Sequence, residues 1–254
     1  MRTLNVPTAL KIVHRASPNF TERRDGGRPR FVILHYTAMT TGEAAIRRLC
    51  DPQVEASAHY LVGIEGTTTA MVQEDMRAWH AGLSHWAGIN DINSWSIGIE
   101  IANPGHLLDY APFPDAQMTA LEYLLSGLLE RWQINPQDVI SHACIAPGRK
   151  FDPGEKLDWR RLARAGLAVW VDPPLERSAT PADLTALCRA AARLGYQVPD
   201  EPGWGPPMRA LWRSLSMRWL GPSPLFGHPP CEAGLAHIEK LADRWPVQRG
   251  FGDV

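Results

Sequence analysis

Apolar runs and helical stretches alternate along the chain from residue 31 to about residue 170. The run "FVILHYT" is continuous and rich in β-branched residues, which predicts a strand buried on both faces. "HYLVGIEG" and "TTTAMVQ", joined at Gly66, predict a β-hairpin. In "SWSIGIEIAN" the isoleucines alternate with Ser96, Gly98 and Glu100, which predicts a strand with one polar face.

Two helical patterns lie between these strands. A short helix is expected after Thr41, and a longer one is expected to begin with Asp115 as its N-cap. The apolar positions of the longer helix recur at helical spacing: Met118, Leu121, Leu125, Leu128 and Trp132. This mixture predicts an α/β domain over residues 1–170, with a mixed central β-sheet flanked by helices.

The C-terminal third of the chain has a different pattern. Residues 171–180 are proline-rich and polar, which predicts a linker. Three helical patterns follow over residues 181–254, the first capped by Thr180, with Pro181 at its first position and Gly195 at its end. The apolar stripes of the second and third are Met208, Leu211, Trp212, Leu215 and Trp219, then Leu235, Ile238, Leu241 and Trp245. We therefore expect a small C-terminal three-helix domain.

Composition and charge narrow the classes of function. With 44% apolar and 21% charged residues, the chain of 254 residues is expected to fold by burial of a core. Its formal net charge of −1 predicts neither nucleic acid nor an anionic membrane surface as a partner. The arginines of "TERRDGGRPR" form the one local basic run, interpreted as a solvated lead-in to the first buried strand.

The N-terminal residues and the cysteines bear on the cellular compartment. The N-terminus lacks the apolar segment of a secretory signal, and no window approaches the roughly 18 apolar residues of a spanning helix. The four cysteines contain no CxxC pair and do not resemble a disulfide framework. These features predict a cytoplasmic protein, with a periplasmic one as the alternative if a leader has been removed.

Candidate metal ligands lie at the end of a predicted strand and in one loop that contains several prolines and glycines. His35 ends the run "FVIL", while His142 and Asp152 lie ten positions apart in "SHACIAPGRKFDPG". A catalytic zinc takes three protein ligands, commonly histidine with a carboxylate, and leaves a fourth position for water. On local pattern alone, a histidine in the position of His35 is more often an ordinary hydrogen-bonded strand end than a metal ligand, and Asp152 fits the start of a turn as well as it fits a ligand.

Four motifs in order, "ILHYT", "RAWHAG", "NSWSIGIEIAN" and "SHACIAPGRKFDPG", resemble the zinc-dependent N-acetylmuramoyl-L-alanine amidases of the amidase-2 type, the family of the AmpD and AmiD enzymes. The resemblance implies that one zinc ion is held by His35, His142 and Asp152. It also implies the reaction, hydrolysis of the amide between N-acetylmuramic acid, or its anhydro form, and L-alanine in muropeptides during peptidoglycan recycling.

The same resemblance assigns catalytic roles, which are chemically sensible for amide hydrolysis. It implies that Glu100 is the catalytic carboxylate and Lys150 the second catalytic residue. Glu100, on the polar face of its strand, is suited to take the proton of the attacking water and return it to the leaving amine. Lys150 stands two residues from Asp152, where its cation would lie beside the developing oxyanion.

Other residues of these motifs are expected near the substrate. Trp79 and His80 of "RAWHAG", with Asn103, are predicted to bind substrate. His59 is interpreted as a structural residue or as one that supports a metal ligand from behind. Cys144 stands where the family usually has an aspartate. Either it fills the space as a small buried group, which we favour because free cysteine is commonly buried, or it offers the metal an alternative ligand.

Alternative functions remain for the C-terminal helices and for the whole chain. "DLTALCRAAARLGYQVP" resembles the opening of peptidoglycan-binding helical modules. One alternative is therefore a wall-directed amidase that is anchored by this domain. Another is a helical bundle that only supports the catalytic domain or forms a dimer interface. A non-catalytic peptidoglycan-recognition protein would lack metal ligands, whereas the complete ligand set favours an enzyme. A metalloprotease is disfavoured because the chain has no HExxH helix.

Overall fold

A computed structural model describes residues 12–221 and 223–247. The strands are Ile12–His14 (β1), Phe20–Glu22 (β2), Phe31–Tyr36 (β3), Tyr60–Val62 (β4), Thr68–Ala70 (β5), Met76–Ala78 (β6), Ser96–Ile101 (β7) and Val139–Ser141 (β8). The α-helices are Gly42–Leu49 (α1), Ile92–Trp95 (α2), Asp115–Trp132 (α3), His142–Ile145 (α4), Trp159–Arg164 (α5), Leu184–Leu194 (α6), Pro206–Leu215 (α7) and Glu232–Arg244 (α8). A 3-10 helix spans Pro136–Asp138, and a π-helical turn, Ser216–Leu220, continues α7. Within these described ranges, no helix is long and apolar enough to cross a lipid bilayer.

A six-stranded mixed sheet, in the order β1-β5-β4-β7-β3-β8, forms the centre of the fold. The predicted hairpin is the antiparallel pair β4 and β5, and the pairs β4–β7, β7–β3 and β3–β8 are parallel. β3 therefore has neighbours on both sides, and its five residues 31–35 are buried as their continuous apolar run predicted. The predicted α/β class is confirmed, and β2 with β6 forms a separate antiparallel pair.

The two faces of the sheet pack against different parts of the chain. Val32 and Leu34 face the long helix α3, whose predicted apolar positions are buried in the same cluster, except for Trp132, which is partly buried against it. Phe31 and Ile33, which point to the opposite face, belong to the same apolar cluster as the helices α6, α7 and α8. These three C-terminal helices, residues 184–244, are called the helical unit below. Because the helical unit covers one face of the central sheet, its core is continuous with that of the α/β part.

Two predicted helix starts are wrong. Asp115 is the first residue of α3, and Pro114 occupies the N-cap position. Thr180 and Pro181 precede α6 without starting it, because the carboxylate of Asp183 caps this helix by accepting hydrogen bonds from two first-turn amides at 2.8 and 3.2 Å. The predicted end of α6 at Gly195 is confirmed.

The basic lead-in is not wholly solvated, which corrects the interpretation of its arginines. Arg23 is half-buried, and its guanidinium donates hydrogen bonds to the carbonyls of Asn93, Ser94, Ser96 and Glu74 at 2.7–3.1 Å. A planar guanidinium offers five N–H donors, so one side chain satisfies several carbonyls at once. Arg23 thereby ties the lead-in to the start of β7.

Candidate metal centre and active-site cleft

Three potential metal ligands meet at the carboxyl ends of β3 and β8. His35 is the second-last residue of β3, His142 directly follows the neighbouring parallel strand β8, and Asp152 lies in the loop after α4. The Nδ1 atoms of the two histidines are 2.9 Å apart, and each lies 2.9–3.0 Å from Oδ2 of Asp152. All three side chains are buried. The structure therefore brings the predicted ligand set together.

Local hydrogen bonds hold the loop that carries two of these residues. The Ser141 hydroxyl caps α4 by accepting from the amide of Cys144 at 3.1 Å, which sets the helix start at His142. The amide of Ala143 donates to the carbonyl of Asp152 at 3.0 Å, so the loop folds back onto the helix. His142 and Asp152, ten positions apart, consequently face the same point.

The donor set and its geometry fit a divalent metal ion. Two imidazole nitrogens and a carboxylate oxygen are ligands typical of catalytic zinc, and the three ligand atoms lie within 4.8 Å of one another. Ligand atoms of a tetrahedral zinc site are about 3.3 Å apart, since each is about 2.0–2.1 Å from the ion. Here the atoms are slightly closer, with lone pairs facing each other, which is repulsive unless a cation or a proton lies between them.

The charge states of the ligands also suit a cation. Burial, followed by the nearby His142, lowers the pKa of His35 to about 4, so its imidazole is neutral at pH 7. Burial alone would raise the pKa of Asp152, but the electrostatic effect of the adjacent imidazoles of His142 and His35 outweighs burial and holds that pKa well below its usual range. A neutral imidazole and an ionised carboxylate are the forms that bind metal.

Glu100 stands beside the cluster on the adjacent strand. In the parallel pairing of β3 with β7 it is the register partner of His35, so the two side chains emerge on the same face of the sheet. Its Oε2 is buried and has no hydrogen-bond partner among the residues that the structure describes. Burial, with the negative charge of Asp152, raises the pKa of Glu100 well above its usual range, while Lys150 opposes this shift. A buried carboxyl group with such a shift is a candidate proton donor and acceptor.

A cleft of about 280 Å³ opens onto this cluster. Its lining includes Glu100 and Lys150 as well as the aromatic side chains of Trp79 and Phe151. Lys150 is half-buried and lines this cleft. The cleft therefore combines the candidate ligands, a carboxyl group and a cation around one space.

Two residues predicted to bind substrate have their polar atoms engaged elsewhere. The side chain of Asn103 is buried, donates to the carbonyl of Ala111 at 2.9 Å and accepts from the amide of Gly105 at 3.0 Å. His80 lines the cleft, but Nδ1 of its ring lies 3.1 Å from Nε2 of His35. Substrate contact by Asn103 and His80 therefore stays a prediction. Trp79, the third residue predicted to bind substrate, is half-buried and lines the cleft.

His59 is a buried structural residue, as the sequence predicted. Its Nδ1 accepts from the amide of Gly98 at 2.9 Å, and its Nε2 donates to the carbonyl of Met76 at 3.1 Å. Burial, together with the charge of Arg23, lowers its pKa to about 3. The ring therefore stays neutral and bridges β7 to β6.

Cys144 faces away from the candidate ligands, towards the helical unit. Its Sγ lies 2.9 Å from the hydroxyl of Ser141 and 3.0 Å from that of Tyr196, and the residue is fully buried. The indole of Trp219 donates to the same Tyr196 hydroxyl at 3.1 Å. This placement supports the packing interpretation of Cys144, since the thiol lies outside the group of three potential ligands found in the described residues.

Several residues of this region were not found from the sequence. Ser214 of α7 donates to the carbonyl of Ala143 at 2.6 Å, and Arg149 donates to the carbonyl of Ala81 at 2.7 Å. That Ala81 carbonyl also lies 3.1 Å from Nε2 of His142. No local pattern marks a serine or a main-chain carbonyl for such a contact, because the partners are distant in sequence.

Comparison with known proteins agrees with this geometry. Residues 25–155 match the Amidase_2 family, described as N-acetylmuramoyl-L-alanine amidase. The chain is 37% identical over 193 residues to N-acetylmuramoyl-L-alanine amidase AmiD of Escherichia coli (strain K12), covering 68% of this chain and 69% of that protein.

Two solved structures resemble nearly the whole chain. One is a complex of AmiD from E. coli with the substrate anhydro-N-acetylmuramic acid-L-Ala-D-γ-Glu-L-Lys, with a TM-score of 0.75 and 31% identity over 89% of this chain and 98% of that one. The other is AmpDh3 from Pseudomonas aeruginosa in complex with anhydromuramic pentapeptide, with a TM-score of 0.75 and 28% identity over 97% of this chain and 100% of that one. Both similarities extend beyond the α/β part and include at least part of the helical unit.

Proposed function

Since this chain belongs to the amidase-2 family of N-acetylmuramoyl-L-alanine amidases, we propose that it hydrolyses the amide between N-acetylmuramic acid, or its anhydro form, and L-alanine in muropeptides. The observation that carries this proposal is the convergence of His35, His142 and Asp152 beside Glu100 in one cleft. Muropeptide substrates are supported by the two similar structures, which hold anhydromuramyl peptides.

The proposed cofactor is one zinc ion held by His35, His142 and Asp152. When bound, such an ion polarises the amide carbonyl and lowers the pKa of a water at its open position. Two imidazoles and one carboxylate match the three protein ligands of a catalytic zinc, so this set would leave one coordination position for water. The neutral state of His35 and the ionised state of Asp152 support this assignment.

Glu100 is proposed as the general base and acid. Its free Oε2 takes a proton from the attacking water, whose hydroxyl forms the new bond to the lactyl carbonyl carbon. The same oxygen then gives the proton to the nitrogen of L-alanine as the amide bond breaks. The products are a lactyl carboxylate and a free amine, and the raised pKa of Glu100 supports both halves of this transfer.

Lys150 is proposed to stabilise the negative charge that develops on the carbonyl oxygen. It lines the cleft two residues from Asp152 and already acts electrostatically on both Glu100 and His35. A cation that is already in place beside the reacting group needs little reorganisation during the reaction. Trp79 offers an apolar wall of the same cleft for the substrate.

The cytoplasm is the proposed compartment, where soluble fragments of peptidoglycan turnover would be the substrates. The four cysteines of the chain are all described and all free, which suits a reducing environment. Fractionation of the native protein tests this part separately from the chemistry. Recovery in the periplasm would contradict it without affecting the proposed reaction.

Incubation with a defined muropeptide tests the proposed reaction. The zinc-loaded protein is expected to convert anhydro-N-acetylmuramic acid-L-Ala-D-γ-Glu-L-Lys into anhydro-N-acetylmuramic acid and the free tripeptide, seen by mass spectrometry. Glu100→Gln is the control for trace contamination by another amidase. Absence of cleavage, or cleavage between L-Ala and D-Glu, would contradict the proposal.

A wall-directed amidase is the second candidate, favoured by one feature of the helical unit. A cleft of about 760 Å³ between the loop at Gly148 and helix α7 is lined by Trp204, Arg209 and Arg213. Exposed aromatic and cationic side chains next to the catalytic cleft would suit contact with a larger substrate. Intact sacculi offered beside the soluble muropeptide separate the two candidates, since only the wall-directed enzyme would digest them efficiently.

A further inference from the structure

His80 lies directly behind the candidate ligand His35, at the start of a buried chain of hydrogen bonds. The ring atoms Nε2 of His35 and Nδ1 of His80 are 3.1 Å apart. Nε2 of His80 lies 3.2 Å from the hydroxyl of Ser96, and that hydroxyl lies 2.6 Å from the carbonyl of Ile92. All three side chains of this chain are buried.

The carbonyl at the end of the chain sets the direction of every hydrogen bond in it. A carbonyl oxygen only accepts, so the Ser96 hydroxyl gives its proton to Ile92. The Ser96 oxygen then accepts from Nε2–H of His80, which leaves Nδ1 of His80 without a proton in the neutral ring. That Nδ1 accepts from Nε2–H of His35. Nδ1 of His35 is left with a free lone pair, directed at His142 and Asp152.

The surroundings of His80 hold its ring in this position. A Cβ atom at Gly98 would lie 2.3 Å from the imidazole of His80, so only glycine at this point of β7 leaves room for the ring. The amides of His80 and Ala81 both donate to the side-chain oxygen of Asn93, at 3.1 and 2.8 Å. The backbone of this loop is therefore fixed by a residue of α2.

The same loop also orients the second histidine of the cluster. Nε2 of His142 donates to the carbonyl of Ala81 at 3.1 Å, which leaves Nδ1 of His142 free to face Asp152 at 2.9 Å. One segment, His80 with Ala81, thus sets the tautomer of both His35 and His142. Partners behind metal-binding histidines fix ring orientation and raise ligand basicity.

We infer that His80 is a positioning residue, which acts through His35 to hold Nδ1 unprotonated and aimed at the metal position. This inference rests on the proposed zinc site and adds a role that does not require His80 to touch substrate. It predicts that loss of the acceptor at His80 weakens zinc binding about 10- to 100-fold. Loss of a buried imidazole elsewhere should have no such effect.

Zinc dissociation constants of the full-length protein, measured by competition with a chelator, test the inference. His80→Leu removes the acceptor and should weaken binding by that factor, whereas His80→Asn keeps an acceptor near the position of Nδ1 and should recover part of the affinity. His237→Leu, which removes a buried histidine of α8, is the matched control and should bind zinc as the wild type does. A folded His80→Leu protein with wild-type affinity would overturn the inference.

A spectroscopic measurement covers the case in which His80→Leu does not fold. Long-range ¹H–¹⁵N spectra of the zinc-loaded wild type should show both His35 and His80 protonated on Nε2, and Ser96→Ala should weaken zinc binding because His80 loses its acceptor. Protonation of His80 on Nδ1 would overturn the inference. A wild-type protein that binds no zinc would instead contradict the proposed function, so the two failures are distinguishable.

Discussion

The hydroxyl of Ser214 donates a 2.6 Å hydrogen bond to the main-chain carbonyl of Ala143, the residue that follows His142. Ser214 belongs to the helical unit and Ala143 to the short helix α4, and both are buried. Together with the contact of Tyr196 with Cys144, this bond attaches the helical unit to the segment that carries a proposed zinc ligand. The helical unit therefore supports the catalytic cleft as well as covering the sheet.

Removal of the helical unit is expected to disrupt the α/β part. A chain ending at Asp172 would expose the sheet face of Phe31 and Ile33 and would lose the bond to Ala143. Exposed contiguous apolar surface promotes aggregation. We expect this protein to elute as aggregates in size-exclusion chromatography and to lack a cooperative thermal transition. A monomeric, cooperatively melting fragment would show that the helical unit is dispensable for folding.

His142→Ala should lose both metal and activity. The wild type is expected to carry about one zinc per chain, and two remaining ligands hold zinc poorly. Elemental analysis after gel filtration measures the metal directly. His106→Ala is a suitable control, because this histidine pairs with Glu155 outside the proposed ligand set and should leave the zinc content unchanged. Full activity in a metal-free preparation would contradict the assignment.

Glu100→Gln should keep zinc and lose turnover. The amide is nearly isosteric with the carboxyl group but cannot accept the proton of water, so a loss of about 10²- to 10⁴-fold in kcat is expected. Steady-state kinetics on the defined muropeptide, with zinc content measured in parallel, checks this result. Glu155→Gln, whose carboxylate pairs with His106, should remain near wild type.

Lys150→Ala should behave like the removal of an oxyanion donor. The expected loss is about 10²- to 10³-fold in kcat, because the cation is proposed to act on charge present only in the transition state. Lys156→Ala is the matched control in the same stretch of chain, since its ammonium group donates to the carbonyl of Tyr110 and lies outside the cleft lining. Equal kcat values for the two variants would show that Lys150 has no catalytic role.

Acid should weaken the fold through His59. Its pKa is lowered to about 3 in the folded protein, mainly by burial, whereas the unfolded side chain titrates near 6.5. As pH falls below about 6.5 the unfolded state takes up the proton first, so this stabilisation is present above that pH and is lost towards pH 3.

The contribution of His59 is measured from the slope of the unfolding free energy against pH. One such histidine adds at most about 1.4 kcal/mol per pH unit to the pH dependence of the unfolding free energy. His59→Asn should flatten this slope between pH 7 and 5 in urea denaturation, even if its stability at pH 7 is lower. His228→Asn changes an exposed histidine and should leave the slope unchanged. An equal slope in wild type and His59→Asn would contradict the prediction.

Local pattern was sufficient for the main elements of the fold. The apolar run of β3 and the alternation of isoleucines in β7 encode burial directly, because side chains alternate across a strand. The hairpin at Gly66 needed only a residue that tolerates positive φ, which is 80° here. Helix starts were predicted less well, since several nearby polar residues compete for a cap, and Asp183 rather than Thr180 makes the hydrogen bonds.

For the site, the ordered motifs determined which residues to consider, and the tertiary structure decided how they meet. His35 and His142 are 107 positions apart, and only the parallel pairing of β3 with β8 brings their Nδ1 atoms to 2.9 Å. The placement of His80 behind His35, and of the helical unit on the free face of the sheet, likewise has no local signal. Hydrophobic periodicity predicts that a side chain is buried. It does not predict which residue that side chain contacts, because the contact depends on the packing of elements that are distant in sequence.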